Sequence, residues 1–242
     1  CILRGQVCEV RRNRFFYPGV EGNPTPETTF VSQGPVASSA STASLSVTAP
    51  VVEAGDTLFC AGFCLGSPAA FDLAGWTPLV NQAHGGSRSY CLFTKQATAE
   101  DSTATFALTR AAAFEMHAII FAYRGADPAT PINAAPIAIR AASSISDVLN
   151  LVVPFDAQGA NVHTLILAIY YDDETDFSTV PTGGGGGFAL RFEAESAVGQ
   201  GVTFALCSRD GNGNSFAPGN WASNSVNDDY YTGFVLALNK VS

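Results

Sequence analysis

The side chains best suited to chemistry cluster near the end of the chain. Trp221, Tyr230 and Tyr231 stand among Asn220, Asn224, Asn227, Asp228 and Asp229. Aromatic faces beside amides and carboxylates suit a sugar, because the ring stacks on C–H faces while the polar groups take the hydroxyls. Trp221, Tyr230, Asn224 and Asp228 are therefore candidate glycan-binding residues. The competing reading is an aromatic corner that closes the fold, and it is favoured for Tyr231, which begins a strand. Upstream, Asp210-Gly211-Asn212-Gly213-Asn214 sets oxygen ligands at alternate positions, as a hard cation such as calcium requires, with Asp210, Asn212 and Asn214 as the ligands. An EF-hand would continue with Gly at its sixth place and Glu at its twelfth. Ser215 and Trp221 stand there instead, so an Asx-rich turn is the better account and no cofactor is expected.

Other candidates lack their context. The run Gly183 to Gly187 is followed by Phe188-Ala189-Leu190, not by the Gly-Lys-Ser/Thr of a phosphate cradle, and reads as a surface loop. Asp172, Asp173, Glu174 and Asp176 form an acidic loop able to hold a metal or supply an acid/base pair, and Asp228-Asp229 has the same character. A hydrated loop is the plainer reading of both. His84, His117 and His163 have no metal spacing to one another. His117 and His163 lie in apolar strand-like runs, where a hydrogen-bonded core imidazole is the usual outcome, whereas His84 sits in a Gly-rich loop. There is no Gly-x-Ser-x-Gly elbow, so a Ser/His/acid site would have to be assembled by folding alone. No catalytic residue is assigned, and the chain reads as a non-enzyme.

The elements that must position these groups are strands. Hydrophobic residues make up 47% of the 242 positions and charged residues 14%, enough for a sizeable core. Gly, Pro, Ser and Thr punctuate short apolar runs, and helix formers are sparse. Candidate strands are 45–52, 56–65, 88–97, 103–109, 114–124, 148–153, 162–171, 188–193, 201–208 and 231–239. Breakers such as Gly66-Ser67-Pro68, Asp127-Pro128 and Pro218-Gly219 separate them. This grammar predicts an all-β fold, an antiparallel two-sheet β-sandwich of jelly-roll type, as a single domain over residues 41–242. Residues 1–40 read as an extended N-terminal arm and linker, broken by Gly22, Pro24 and Pro26 and rich in Ser and Ala from Gly34 to Ser44. Trp76, between Gly75 and Pro78, reads as a core plug.

Net charge is −9, although four of the twelve basic residues (Arg4, Arg11, Arg12 and Arg14) lie in the first fourteen positions. An acidic body repels a phosphate backbone, which argues against nucleic acid as a partner. Arg11, Arg12, Arg14, Phe15, Phe16 and Tyr17 are expected to dock the arm on another subunit. No run reaches the ~18 apolar residues of a membrane helix, so no membrane insertion is expected. Of the six cysteines, Cys60 and Cys64 would stand about 13 Å apart along one strand, beyond disulfide reach. Cys60, Cys91 and Cys207 sit in apolar runs and read as reduced core thiols, with Cys1 and Cys8 left open as a pair. The one Asn-x-Thr tripeptide is blocked by Pro24.

The phrases Ala54-Gly55-Asp56, Gly75-Trp76-Thr77-Pro78-Leu79, Tyr90 to Lys95, Ala99-Glu100-Asp101 and Ala122-Tyr123-Arg124-Gly125 resemble bacteriophage and prophage virion proteins of the tail, minor-tail or head-fibre type. The resemblance covers roughly residues 30 to 125. It implies a β-sandwich displayed on the particle surface, a structural role without a catalytic motif, and partners among other virion proteins reached through the arm. A homo-oligomer, with a trimer favoured, and attachment to host surface glycans go with that reading. A polysaccharide depolymerase working through the acidic loops is its enzymatic rival.

Overall fold

The computed structural model describes residues 27–66, 69–84, 87–140, 148–150, 162–171, 177–179, 188–196, 198–199, 201–210, 220–223 and 230–241. The arm residues Arg11, Arg12, Arg14, Phe15, Phe16 and Tyr17 lie outside them, as do Cys1 and Cys8.

The strands among the described residues fall into three antiparallel sheets. The first contains β1 (Thr29–Gln33), β2 (Ala37–Thr48), β3 (Thr57–Leu65), β4 (Asp72–Leu73), β5 (Thr77–His84), β6 (Arg88–Gln96) and β7 (Thr105–Arg124). Its order is β1-β7-β3-β6-β5, with β2 and β4 also paired to β7. The second contains β8 (Ile132–Arg140), β10 (Val162–Tyr171), β12 (Ala189–Ser196), β13 (Val202–Asp210) and β15 (Tyr230–Asn239), in the order β12-β13-β10-β15-β8. Three short strands, β9 (Val148–Asn150), β11 (Phe177–Thr179) and β14 (Asn220–Ser223), make a small third sheet.

The antiparallel sandwich expected from the sequence is the fold. Its winding differs from a jelly roll: the chain completes the first sheet before it enters the second, rather than passing between them. Among the described residues, strand structure starts at Thr29, inside the stretch read as arm and linker. Ala37 to Ser44 has weak intrinsic strand preference. It is nevertheless held by backbone pairing, from Ala37↔Ala118 to Ser44↔Thr109, so tertiary context decides.

One strand organises the first sheet. The expected pair 103–109 and 114–124 is a single strand, β7, of 20 residues. Along one side of it run β1 and β2, from Thr29↔Arg124 to Thr48↔Thr105. Along the other run β3 and β4. From Met116 to Tyr123 every residue of β7 is buried, so its two faces enter two different cores.

Ile119, Phe121 and Tyr123 join Phe59, Phe63, Tyr90 and Leu92 against Leu165, Leu167, Ile169, Phe204, Leu206, Phe234 and Leu236 of the second sheet. This inter-sheet core is rich in rings: Phe59 stacks on Phe121 at 5.3 Å between centroids, and Phe192 meets Phe30 and Phe121 at 6.0 and 5.7 Å. Met116, Ala118, Ile120 and Ala122 face the other way. They join Leu58, Cys60, Cys64 and Cys91 beneath Leu45, Val47, Phe71, Leu73, Trp76 and Leu108. The first sheet thus covers its outer face with its own far portion. Trp76 is buried in this second core, as expected of a plug.

Cys60, Cys64, Cys91 and Cys207 are free and buried. Burial pushes the Cys60 and Cys207 thiols up to about 12, which leaves them as small unreactive hydrophobes. Gly62 allows Cys91 and Leu108 to pack closely against β3: a methyl group there would stand 2.8 Å from Cys91 Sγ and 3.0 Å from a Leu108 methyl. Replacing Gly62 by Ala is therefore expected to lower unfolding free energy by about 1–3 kcal/mol through overpacking. Urea denaturation of the two proteins checks it, and equal midpoints would show that the second core yields at this point.

Candidate functional site

The phrases between Ala54 and Gly125 are brought together and bonded to one another. The turn before β3 carries Asp56, which is 2% exposed. Arg124, at the end of β7, donates from Nε to its Oδ1 at 2.8 Å and from NH2 to its Oδ2 at 2.9 Å. The Glu53 N–H donates to the same Oδ2 at 2.9 Å, and Glu53 Oε1 lies 3.1 Å from Arg124 NH1. Asp56 raises the guanidinium above its ordinary value. Gly125 follows with φ +80°, and a side chain there would collide with the carbonyl of Glu27.

A shallow cleft of about 280 Å³ opens beside this cluster, lined by Glu53, Gly55, Arg124, Gly125, Pro128 and Val241 among others. Its one guanidinium is committed to two carboxylates, so the cleft is not built for an anion.

The next phrases are tied in the same way. Asp101 caps the 3-10 turn Ala99–Asp101 by accepting from the Thr98 N–H at 2.7 Å and the Thr98 hydroxyl at 2.9 Å, while Lys95 donates to it at 2.6 Å. Burial would raise the Asp101 carboxyl, but Lys95 and Thr98 outweigh it and hold the group below its ordinary value. The Lys95 ammonium also sits 5.1 Å from the Phe106 ring centroid, and Phe106 meets Trp76 edge-on at 5.2 Å. Asn81 fixes the preceding turn by bonding both the N–H and the carbonyl of Phe71, at 3.0 and 2.7 Å.

Of the sequence-derived ligand residues, Trp221, Tyr230 and Asp210 lie among the described residues. Trp221 lies in the middle of β14, opposite Leu149. Tyr230 opens β15 opposite Tyr171, and Asp210 closes β13 opposite His163. Tyr171 and His163 stand at the two ends of β10, about 26 Å apart at ~3.3 Å per residue. Asp210 and Tyr230 therefore mark opposite ends of the second sheet, and Trp221 lies in the third. Asn224 and Asp228 lie outside the described residues, as do Asn212, Asn214, the acidic loop 172–176 and the glycine run 183–187. Among the described residues, no group of three or more His, Cys, Asp or Glu side chains is arranged to hold a metal ion. No helix among them is long and apolar enough to cross a membrane.

Folding does assemble a serine–histidine–carboxylate chain at the Tyr171 end of the sandwich. His117, fully buried on β7, has both ring nitrogens bonded. Nδ1 lies 2.8 Å from Ser196 Oγ, at the end of β12, and Nε2 lies 2.9 Å from Glu115 Oε1. The sequence holds half the signal, since Glu115 and His117 share one face of a strand. Ser196 joins them from 79 positions away. Gly199, at φ +70°, closes over the Glu115 carboxylate where any side chain would overlap it. Nearby, the Arg88 guanidinium lies 5.7 Å from the Tyr171 ring centroid.

A carboxylate accepts from Nε2–H, which leaves Nδ1 to accept the Ser196 hydroxyl proton. This order of contacts activates a serine in acyl-transfer enzymes. Here, however, Ser196 is 3% exposed and the ring presents Nδ1 rather than Nε2 to it, so the chain of bonds acts as a tie between the two sheets.

No family model, curated protein or solved structure matches this chain.

Two outcomes follow from the clamps. Replacing Asp56 by Asn is expected to cost about 2 kcal/mol, between the values for exposed and buried pairs because Arg124 is half exposed. A double-mutant cycle with Arg124→Gln checks it, and a coupling near zero would remove the pair as a clamp. The carboxyl of Asp101 is depressed in the fold, so its contribution is full above the ordinary value of 3.8 and is lost as pH falls below that value through the folded one. Asp101→Asn should flatten this part of the acid denaturation curve, and an unchanged curve would show that the cap carries no linkage.

Proposed function

We propose that the chain is a structural protein of a bacteriophage virion, displayed on the particle as a homo-oligomeric β-sandwich and anchored by its basic, aromatic N-terminal segment. The observation that carries this reading is the bonding among the virion-like phrases. Asp56 with Arg124 ties the first phrase to the last, while Lys95 with Asp101, and through Phe106 with Trp76, ties together the other three. Asp56, Arg124, Lys95 and Asp101 are engaged with one another in pairs, as suits a framework whose task is rigidity. The charge distribution fits display as well, with a body more acidic than the overall −9 and four of the twelve basic residues in the first fourteen positions.

Immunogold labelling of purified particles with an antibody to the sandwich tests the proposal. Label on intact particles is expected, and bare particles with the protein left in the free lysate would overturn it. A chain lacking residues 1–26 is expected to fold, with a melting temperature within a few degrees of the parent, and to be absent from particles. The cut stops short of Thr28, whose hydroxyl bonds the Gly125 carbonyl at 3.0 Å, and of Phe30, which packs on Tyr123 at 5.7 Å.

A second reading, a glycan-binding face for host attachment, is favoured by one feature. Tyr230 stands opposite Tyr171 at the strand end where the Arg88 guanidinium lies 5.7 Å from the Tyr171 ring centroid. A glycan array run with and without calcium is expected to show binding that Tyr230→Ala and Trp221→Ala abolish. A blank array in both conditions would remove this reading and leave the structural one standing.

A further inference from the structure

Among the described strands, β12 lies at an edge of its sheet, paired with β13. Among its contacts with the first sheet are two of different kinds. Phe192 inserts beside Phe30 and Phe121, and Ser196 meets His117. The first is apolar and indifferent to pH. The second contains a titratable ring with no solvent exposure.

We propose that Glu115, His117 and Ser196 form a proton-operated latch, which fastens the end of β12 and the turn after it to β7 at neutral pH and releases them in acid. In the closed state every hydrogen has a place. His117 Nε2–H donates to Glu115, Ser196 O–H donates to Nδ1, and Ser196 Oγ accepts the Val198 N–H at 3.4 Å. Protonation puts a second hydrogen on the ring. Nδ1–H and the Val198 N–H then both point at Ser196 Oγ, and the serine's own hydrogen is displaced into a site where the residue is 3% exposed. An orphaned buried donor costs about 1–3 kcal/mol, and the imidazolium also loses hydration.

The charges around His117 do not rescue the protonated form. Glu115, on the same strand, favours it. The opposite residues Ser38 on β2 and Phe63 on β3 carry no charge. Arg88 on β6 is cationic and lies over Tyr171, Val202 of β13 is apolar, and Glu193 and Glu195 of β12 are exposed. Burial lowers His117 and Glu115 raises it, and burial wins, leaving the ring below its ordinary 6.5. A folded value below the unfolded one gives stability that is complete above about pH 6.5 and declines as pH falls through the folded value. The latch therefore opens on acidification.

Hydrogen–deuterium exchange of the full chain at pH 7.5 and 5.0, corrected for intrinsic rates, tests this. Peptides covering 193–201 are expected to exchange about tenfold faster at the lower pH, with 162–171 unchanged. His117→Gln keeps a donor and an acceptor but does not titrate, so it should abolish the difference. Equal protection of 193–201 at both pH values, or the same pH dependence in His117→Gln, would overturn the proposal. If that variant does not fold, Ser196→Ala decides. It should exchange over 193–201 at pH 7.5 as fast as the parent does at pH 5.0, and parental protection would refute the latch.

Discussion

The structure depends on giving β7 partners in four directions at once. A strand of 20 residues paired along both edges, with both faces buried from Met116 to Tyr123, needs backbone ladders left and right and apolar cover above and below. β1 and β2 supply one ladder, and β3 and β4 the other. The second sheet covers one face, and the folded-over part of the first sheet covers the other. The turns are then fixed by what they must reach. The Asp56 turn has to meet Arg124 at the last residue of β7, and the Asn81 bonds hold the Phe71–Trp76 turn over Leu108.

Polar groups follow the same rule. Where charge is taken out of water it is bonded from several sides, as at Asp56 and Asp101. Such groups define geometry more than they add net stability, since desolvation offsets much of the attraction. Their effect is to set the register of the long strand against the turns that cap it. A slip of β7 by one residue would exchange its two faces and also pull Arg124 away from Asp56.

Much of this was legible from residue order. The apolar runs at 56–65, 88–97, 114–124, 162–171, 201–208 and 231–239 are strands, the thiols at Cys60, Cys91 and Cys207 are buried, and His117 is a bonded core imidazole. The misses have physical causes. β5 and β8 contain Pro78 and Pro136, which argue against a strand. Both lie at sheet edges, and the pairing slips between Pro78 and Val80 and between Val235 and Ala237 opposite β8, where the missing N–H is tolerated. Ala37 to Ser44 has the composition of a linker, and only a partner strand makes it β. The Ser196–His117 contact joins residues 79 apart, and no local pattern records which polar side chains will meet across a core. The third sheet and the unexpected sequence-by-sequence filling of the two large ones are likewise set by long-range pairing.

That order of filling bears on how the chain is made. Every strand of the first sheet lies before residue 125, and every strand that covers its inner face lies after residue 161, apart from edge strand β8. A ribosome working at about 5–20 residues per second exposes Phe59, Phe63, Ile119 and Phe121 for on the order of ten seconds before Phe204 and Phe234 exist to cover them. The nascent first half is thus an open, aromatic-faced slab. Chaperone shielding or rapid elongation through the middle of the message would govern yield more than the stability of the finished protein does.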